Sequence, residues 1–109
     1  MSFTPGNLPG TLNGVTQVDI VVAPASSTQR EVRNVTFYNR DTVAQEITLK
    51  YSANGTLYFL DKQTVQPGKA WLYSVLQVLD ATTDKLVAVM TAAVTTTAPD
   101  FQANWADKA

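Results

Sequence analysis

Without histidine or cysteine, the chemistry open to this sequence rests on carboxylates, basic side chains and aromatic rings. Composition excludes Ser–His and Cys–His nucleophilic mechanisms, zinc sites of the Cys/His type, and any disulfide. The nine carboxylates are scattered. Asp80 and Asp84 come nearest to a ligand pattern, around Ala81-Thr82-Thr83. A calcium loop needs a denser acidic run, so both read as solvated loop acids. Arg30-Glu31-Val32-Arg33 could reach a phosphate. It reads instead as an outward strand face whose charges discourage edge-to-edge pairing. No glycine-rich phosphate loop of the Walker or dinucleotide type occurs. Asn34-Val35-Thr36 and Asn54-Gly55-Thr56 match the glycosylation pattern and, with no secretory signal, read as chance matches. These residues imply no catalytic group, no metal and no cofactor.

Aromatic rings are the remaining candidates: Phe3, Phe37, Tyr38, Tyr51, Tyr58, Phe59, Trp71, Tyr73, Phe101 and Trp105. Tyr58 and Phe59 are adjacent, so one of them points away from a core, and the same holds for Phe37 and Tyr38. An exposed row could stack on sugar rings, which keeps a carbohydrate-binding module open. The plainer reading is core packing plus a subunit contact. Net charge is −1 with no basic stripe, so nucleic acid is not expected as a partner. Apolar runs such as Leu86–Met90 are too short to span a bilayer. The start, MSFTPGNLPG, lacks the pattern of a signal peptide.

The elements that must position these residues read as strands. Arg33–Tyr51 is organised as two alternating runs around Asn39-Arg40-Asp41-Thr42, a link whose side chains bond their own backbone. Strands are expected over Val15–Ala23, Glu31–Asn39, Gln45–Ser52, Leu57–Leu60 and Ala70–Val75. Asn54-Gly55 predicts a type I′ hairpin, and Val65-Gln66-Pro67-Gly68 a second turn. Leu76–Asp84 fits a short helical turn or a strand. Lys85–Thr97 fits two strands with a bend near Ala92-Ala93 or one strand with a bulge, and usual strand lengths favour two. Asp100–Ala109 fits a helical turn or an anchoring strand.

At 109 residues this is one domain, all-β: a single antiparallel β-sandwich, jelly-roll or Ig-like, of seven or eight strands over residues 15–109. Residues 1–14, punctuated by Pro5, Gly6, Pro9 and Gly10, are expected as an extended N-terminal arm. The expected core is Val18, Ile20, Val22, Val35, Phe37, Ile47, Leu49, Leu57, Phe59, Leu72, Leu86 and Ala88. Phe3, Leu8 and Leu12 are expected to anchor the arm on a neighbouring subunit. Tyr58, Trp71, Phe101 and Trp105 are the other expected interaction residues. Apolar residues on both strand faces, Val87 and Val89 against Leu86, Ala88 and Met90, predict a homo-oligomer, with a trimer first and rings or lattice-bound copies next.

In order, the phrases Asn39-Arg40-Asp41-Thr42-Val43-Ala44, Glu46–Tyr51, Val65-Gln66-Pro67-Gly68 and Leu86–Thr91 have a resemblance to known proteins. The stretch Val32–Asn104 resembles small β-sandwich virion proteins of tailed bacteriophages: capsid decoration, head or tail accessory subunits. The resemblance implies a structural protein that binds the major capsid or other virion proteins and stabilises the particle. It implies a location on the virion after synthesis in the host bacterial cytoplasm, and no catalytic residues. The alternative is a carbohydrate-binding or tail/fibre-associated adhesion module. The long Ala/Thr run and the Trp105 tail depart from the pattern, and leave head or tail location open.

Overall fold

The computed structural model describes residues 3–108. Met1, Ser2 and Ala109, included in the expected arm and tail, lie outside the described residues. The strands are β1 (Phe3–Thr11), β2 (Val18–Val21), β3 (Gln29–Tyr38), β4 (Gln45–Ala53), β5 (Thr56–Val65), β6 (Ala70–Tyr73), β7 (Gln77–Leu79), β8 (Asp84–Met90) and β9 (Asp100–Lys108). One sheet has the order β1-β9-β3-β6, with β7 also on β3; the other has β2-β8-β4-β5. All pairings are antiparallel. Taking β6 and β7 as one interrupted strand, this is the eight-strand order of a jelly roll, and it decides between the two expected sandwiches.

Turn chemistry is as expected. Asn54 and Gly55 have φ of 51° and 89°, which closes the β4–β5 hairpin. Gly68 has φ 75°, and Lys69 N–H donates to Gln66 O at 3.1 Å, so Pro67-Gly68 forms the centre of a type II turn.

The core holds Ile20, Val35, Phe37, Ile47, Leu49, Leu86 and Ala88, all fully buried, with Val18 partly buried against them. Four expected core residues are exposed instead: Val22, Leu57, Phe59 and Leu72. A shift of register between Asp19 and Val21 turns Ile20 and Val21 both inward, and Val22 falls outside. The two-residue hairpin pairs Leu57 with Ser52 and Phe59 with Lys50, on the face opposite Ile47 and Leu49, so both are outward before the bulge at Leu60 is reached. Leu72 pairs with Thr36 on the outer face, while Trp71 and Tyr73 pair with the inward Phe37 and Val35. Val87, expected to be an exposed alternate, is fully buried on the outer side, flanked by Asp19 and Lys50.

Two further expectations change, and one open alternative is decided. Residues 3–11 are no free arm: β1 pairs along its length with β9, and Leu12 N–H donates to Pro99 O at 2.9 Å. Of the two expected forms of the tail the strand is present: it is β9, lying between β1 and β3. Lys85–Thr97 makes one strand, not two, because the amides of Thr95, Thr96 and Thr97 bond a carboxylate instead of a ladder.

β1 reveals a repeat, Pro5-Gly6-Asn7-Leu8 and Pro9-Gly10-Thr11-Leu12. In a strand, four residues return to the same face. Leu12 is buried and Leu8 packs against the core, while Gly6 and Gly10 lie opposite Trp105 and Phe101. A β-carbon at Gly10 would sit 2.5 Å from the Phe101 ring, and one at Gly6 would meet the Trp105 indole. The aromatic rings of β9 therefore occupy the space that side chains of β1 would need.

Candidate interaction surface

Two polar clusters hold the ends of the sandwich. At one end, Asn39 is fully buried. Its Nδ2 donates to Val65 O at 2.7 Å and Val43 O at 3.0 Å, and its Oδ1 accepts from Asp41 N–H at 2.9 Å. Its backbone N–H donates to Lys69 O, and its O accepts from Gly68 N–H. Asp41 Oδ1 accepts from the N–H groups of Thr42 and Thr96, both at 2.8 Å, and of Thr97 at 3.3 Å. Its Oδ2 accepts from Thr95 N–H and Gln45 Nε2, both at 2.8 Å. These donors, the Thr95 amide foremost, hold the Asp41 carboxyl well below the usual carboxylate range against the opposing effect of burial. The expected self-bonding link is present, and it also gathers loops 65–69 and 93–97.

At the other end, Tyr51 Oη donates towards Val78 O at 2.6 Å and Asp84 Oδ2 at 2.9 Å. Asp84 also accepts from Asp80 N–H and from Thr83 Oγ1. Asp84 is buried, so it is a structural acceptor and not the solvated loop acid expected. Burial, then the Asp84 carboxylate, raises the Tyr51 phenol above its ordinary range. A folded phenol held protonated adds stability that is full below the unfolded value of 10.0 and is lost as pH rises above it. Tyr51→Phe is expected to cost about 1.5 kcal/mol at neutral pH. It is also expected to remove part of the alkaline loss of stability, both read from urea titrations at pH 7 and above pH 10.

Arg30 is not on an outward edge. β3 is an interior strand, and Arg30 makes a two-pronged pair with Asp107, at 2.7 and 3.0 Å. It donates to Val22 O and stacks 4.6 Å from the Trp105 ring centroid. Its cation is thereby used inside the fold.

Of the seven expected interaction residues, two are surface groups: Phe3, 47% exposed, and Tyr58, 56% exposed. Leu12 and Phe101 are buried, and Leu8, Trp71 and Trp105 are partly buried against the core. Trp71 stacks on Phe37 with centroids 5.0 Å apart. Leu8 and Leu12 of the expected arm and Phe101 and Trp105 of the tail are therefore consumed within their own chain, and Phe3 stays at the surface.

The exposed apolar surface lies elsewhere. Leu57, Tyr58 and Phe59 of β5, Leu72 of β6, Val75 and Leu76 of the following link, and Val78 of β7 are all at least 40% exposed. These elements form one flank, where β5 and β6 adjoin across the two sheets. The signal for it was the unbroken run Leu57-Tyr58-Phe59-Leu60, which no single strand face can bury. A shallow groove of about 600 Å³ crosses the outer face of the β1-β9-β3 sheet, lined by Pro9, Thr11, Thr36, Tyr38, Asp100 and Gln102 among others. Among the described residues no three Asp or Glu side chains gather as a metal site.

No family model and no curated protein matches the sequence. Solved structures do match in shape. The nucleoplasmin-like N-terminal domain of Drosophila FKBP39 superposes with TM-score 0.56 at 10% identity, covering 98% of this chain and 91% of that one. A chain of Bacillus endospore appendages, which are disulfide-linked pili, gives 0.55 at 16% identity, covering 97% and 84%. A chain of the cyanophage Pam1 capsid gives 0.51 at 15% identity, covering 97% and 82%. At such identities the likeness shows the fold, a two-sheet antiparallel sandwich shared nearly end to end.

Proposed function

We propose that this chain is a structural subunit of a virion, a jelly-roll unit that assembles with copies of itself and with the particle surface. The observation that carries the reading is the apolar flank of β5, β6 and β7 on a domain whose buried carboxylates are tied to backbone amides and a phenol. An enzyme is not the reading, since those groups are spent on holding loops. The shape shared with a cyanophage capsid chain supports a virion role. Within that role, capsid decoration or a head-associated accessory position in a tailed phage is the specific proposal, with major capsid protein as partner. The trimer remains the first oligomer to test, although its contacts must now come from surface residues such as Phe3 and Tyr58. Synthesis in the bacterial host cytoplasm belongs to the same proposal.

The test is co-sedimentation of purified protein with particles that lack it, together with light scattering of the free protein. Binding in a fixed ratio to the capsid protein, and mass at multiples of 11.8 kDa, are expected. A monomer with no affinity for particles would overturn the reading.

A second reading keeps the sugar-binding module, and the groove favours it. Tyr38 is 42% exposed beside Asp100 and Gln102, an aromatic ring next to polar side chains. If it binds glycans, Tyr38→Ala is expected to abolish signal on a glycan array, while Tyr58→Ala leaves it unchanged.

A further inference from the structure

A sheet edge left unpaired is a template for another strand, and proteins block edges they do not use. Among the described residues, three edges here are blocked or short. β2 and β6 have four residues each, and β7 three. β1 is long but carries Pro5 and Pro9. Leu12 N–H turns toward β9, so by alternation the odd-numbered residues of β1 turn their backbone groups outward. The two prolines fall on that outward side, where they remove two donors from any added strand.

β5 is different. It runs ten residues, Thr56–Val65, with neither proline nor glycine. The two-residue loop makes Ala53 and Thr56 a hydrogen-bonded pair. Alternation along β4 then points the backbone groups of Ser52, Lys50, Thr48 and Glu46 away from β5. Thr91 N–H donating to Glu46 O at 3.1 Å, on the β8 side, agrees. Their β5 partners, Leu57, Phe59, Lys62 and Thr64, therefore turn N–H and C=O to the open edge, where Lys62 N–H donates to Asp61 Oδ1 at 2.8 Å, a carboxylate that must swing aside for a strand to add. The step from Phe59 to Lys62 is taken up by the bulge at Leu60.

We propose that β5 pairs antiparallel with β5 of a second copy, about a two-fold axis at the Leu60–Asp61 bulge. This rests on the assembling subunit proposed above and gives it a two-fold contact, which closes as a dimer and is distinct from any contact within a trimer. The pattern of edge-facing backbone groups, two before the bulge and two after, reads the same in both directions, which is what an isologous contact requires. With the axis there, Leu57 faces Thr64 of the second copy, and Phe59 faces Lys62. No like charges meet directly, and each lysine lies against an aromatic ring. The edge also carries apolar side chains to cover: Leu57, Tyr58 and Phe59 of β5 are 44%, 56% and 61% exposed.

The absence of cysteine makes a clean probe of register. Phe59→Cys and Lys62→Cys proteins are mixed in equal amounts and oxidised. The proposed pairing puts these positions about 5.5 Å apart between copies, within disulfide reach, and puts Phe59 about 10 Å from its own counterpart. A linked dimer is expected from the mixture and not from either variant alone. Thr64→Pro, whose N–H bonds nothing in β4, is expected to weaken self-association at least about tenfold in sedimentation, with an unchanged melting point. Monomer up to about 1 mM would overturn the inference. So would links from either variant alone, or an oligomer indifferent to Thr64→Pro. Particle binding that survives a failed cross-link would sink this contact alone; a sound cross-link without particle binding would sink the virion reading instead.

Discussion

Asp41→Asn is expected to lower the thermal midpoint by about 10 °C and to free loop 93–97. The carboxylate accepts five hydrogen bonds, four from backbone N–H groups and one from Gln45. An asparagine has one acceptor oxygen, and its amide hydrogens would point at donors in either orientation. If the amide nitrogen replaces Oδ2, it meets Thr95 N–H and Gln45 Nε2; if Oδ1, it meets Thr42 and Thr96 N–H. The measurement is amide hydrogen exchange at Thr95 and Thr96 beside a thermal melt. Both amides are expected to lose protection while β3 and β4 keep theirs.

The same site sets the acid limit. The carboxyl lies far lower in the folded chain than its ordinary 3.8, so as pH falls the unfolded chain takes up the proton first. Its contribution is full above about pH 5 and is lost progressively below that. Asp41→Asn is expected to flatten the dependence of stability on pH between about 5 and 2, compared with the parent. An unchanged acid slope would mean another carboxylate governs it.

The second large effect is expected at Gly10. Gly10→Val should destabilise by about 3 kcal/mol, because its β-carbon would sit 2.5 Å from a Phe101 ring that is itself buried in the core. Phe101→Ala alone should cost about 3–4 kcal/mol by leaving a cavity. The double variant is expected to be more stable than the sum of the two losses by about 1 kcal/mol or more, since valine then occupies space the ring vacated. Urea titrations of the four proteins give the cycle. Simple additivity would show that ring and glycine do not share the space.

The sandwich was legible because β3, β4 and β8 alternate, and because Asn54-Gly55 and Pro67-Gly68 require their turns. What failed was register. The bulge in β2 inverts the face of Val22, and nothing local in Val18–Val22 announces an extra residue; Leu57 and Phe59 instead follow Ser52 and Lys50 across the Asn54-Gly55 turn, a pairing that alternation within Leu57–Leu60 alone does not show. β1 was misread for another reason. Proline and glycine argue against a strand in isolation, but here an edge tolerates the prolines and rings from β9 fill in for the glycines. That compensation comes from residues nearly a hundred positions away. Phe101 and Trp105 looked like free anchors for the same reason: the glycines they cover belong to the other end of the chain. The exposed apolar flank was half visible: Tyr58, expected as an interaction residue, lies at the surface, while its neighbours Leu57 and Phe59 were assigned to the core.

The position of β9 between β1 and β3 has a kinetic consequence. A ribosome delivers Phe3–Thr11 first and Asp100–Lys108 about a hundred residues later, yet these two strands pair with each other. The middle strand of one sheet is thus the last to be made. Until it arrives, β1 has no ladder and β3 lacks one of its neighbours, while the β2-β8-β4-β5 sheet already has all its strands. Such distant pairings carry the largest closure entropy and slow the final step of folding. The prolines of β1 then guard a nascent chain as well as a finished one, because the strand that waits longest is the one least able to template a stranger.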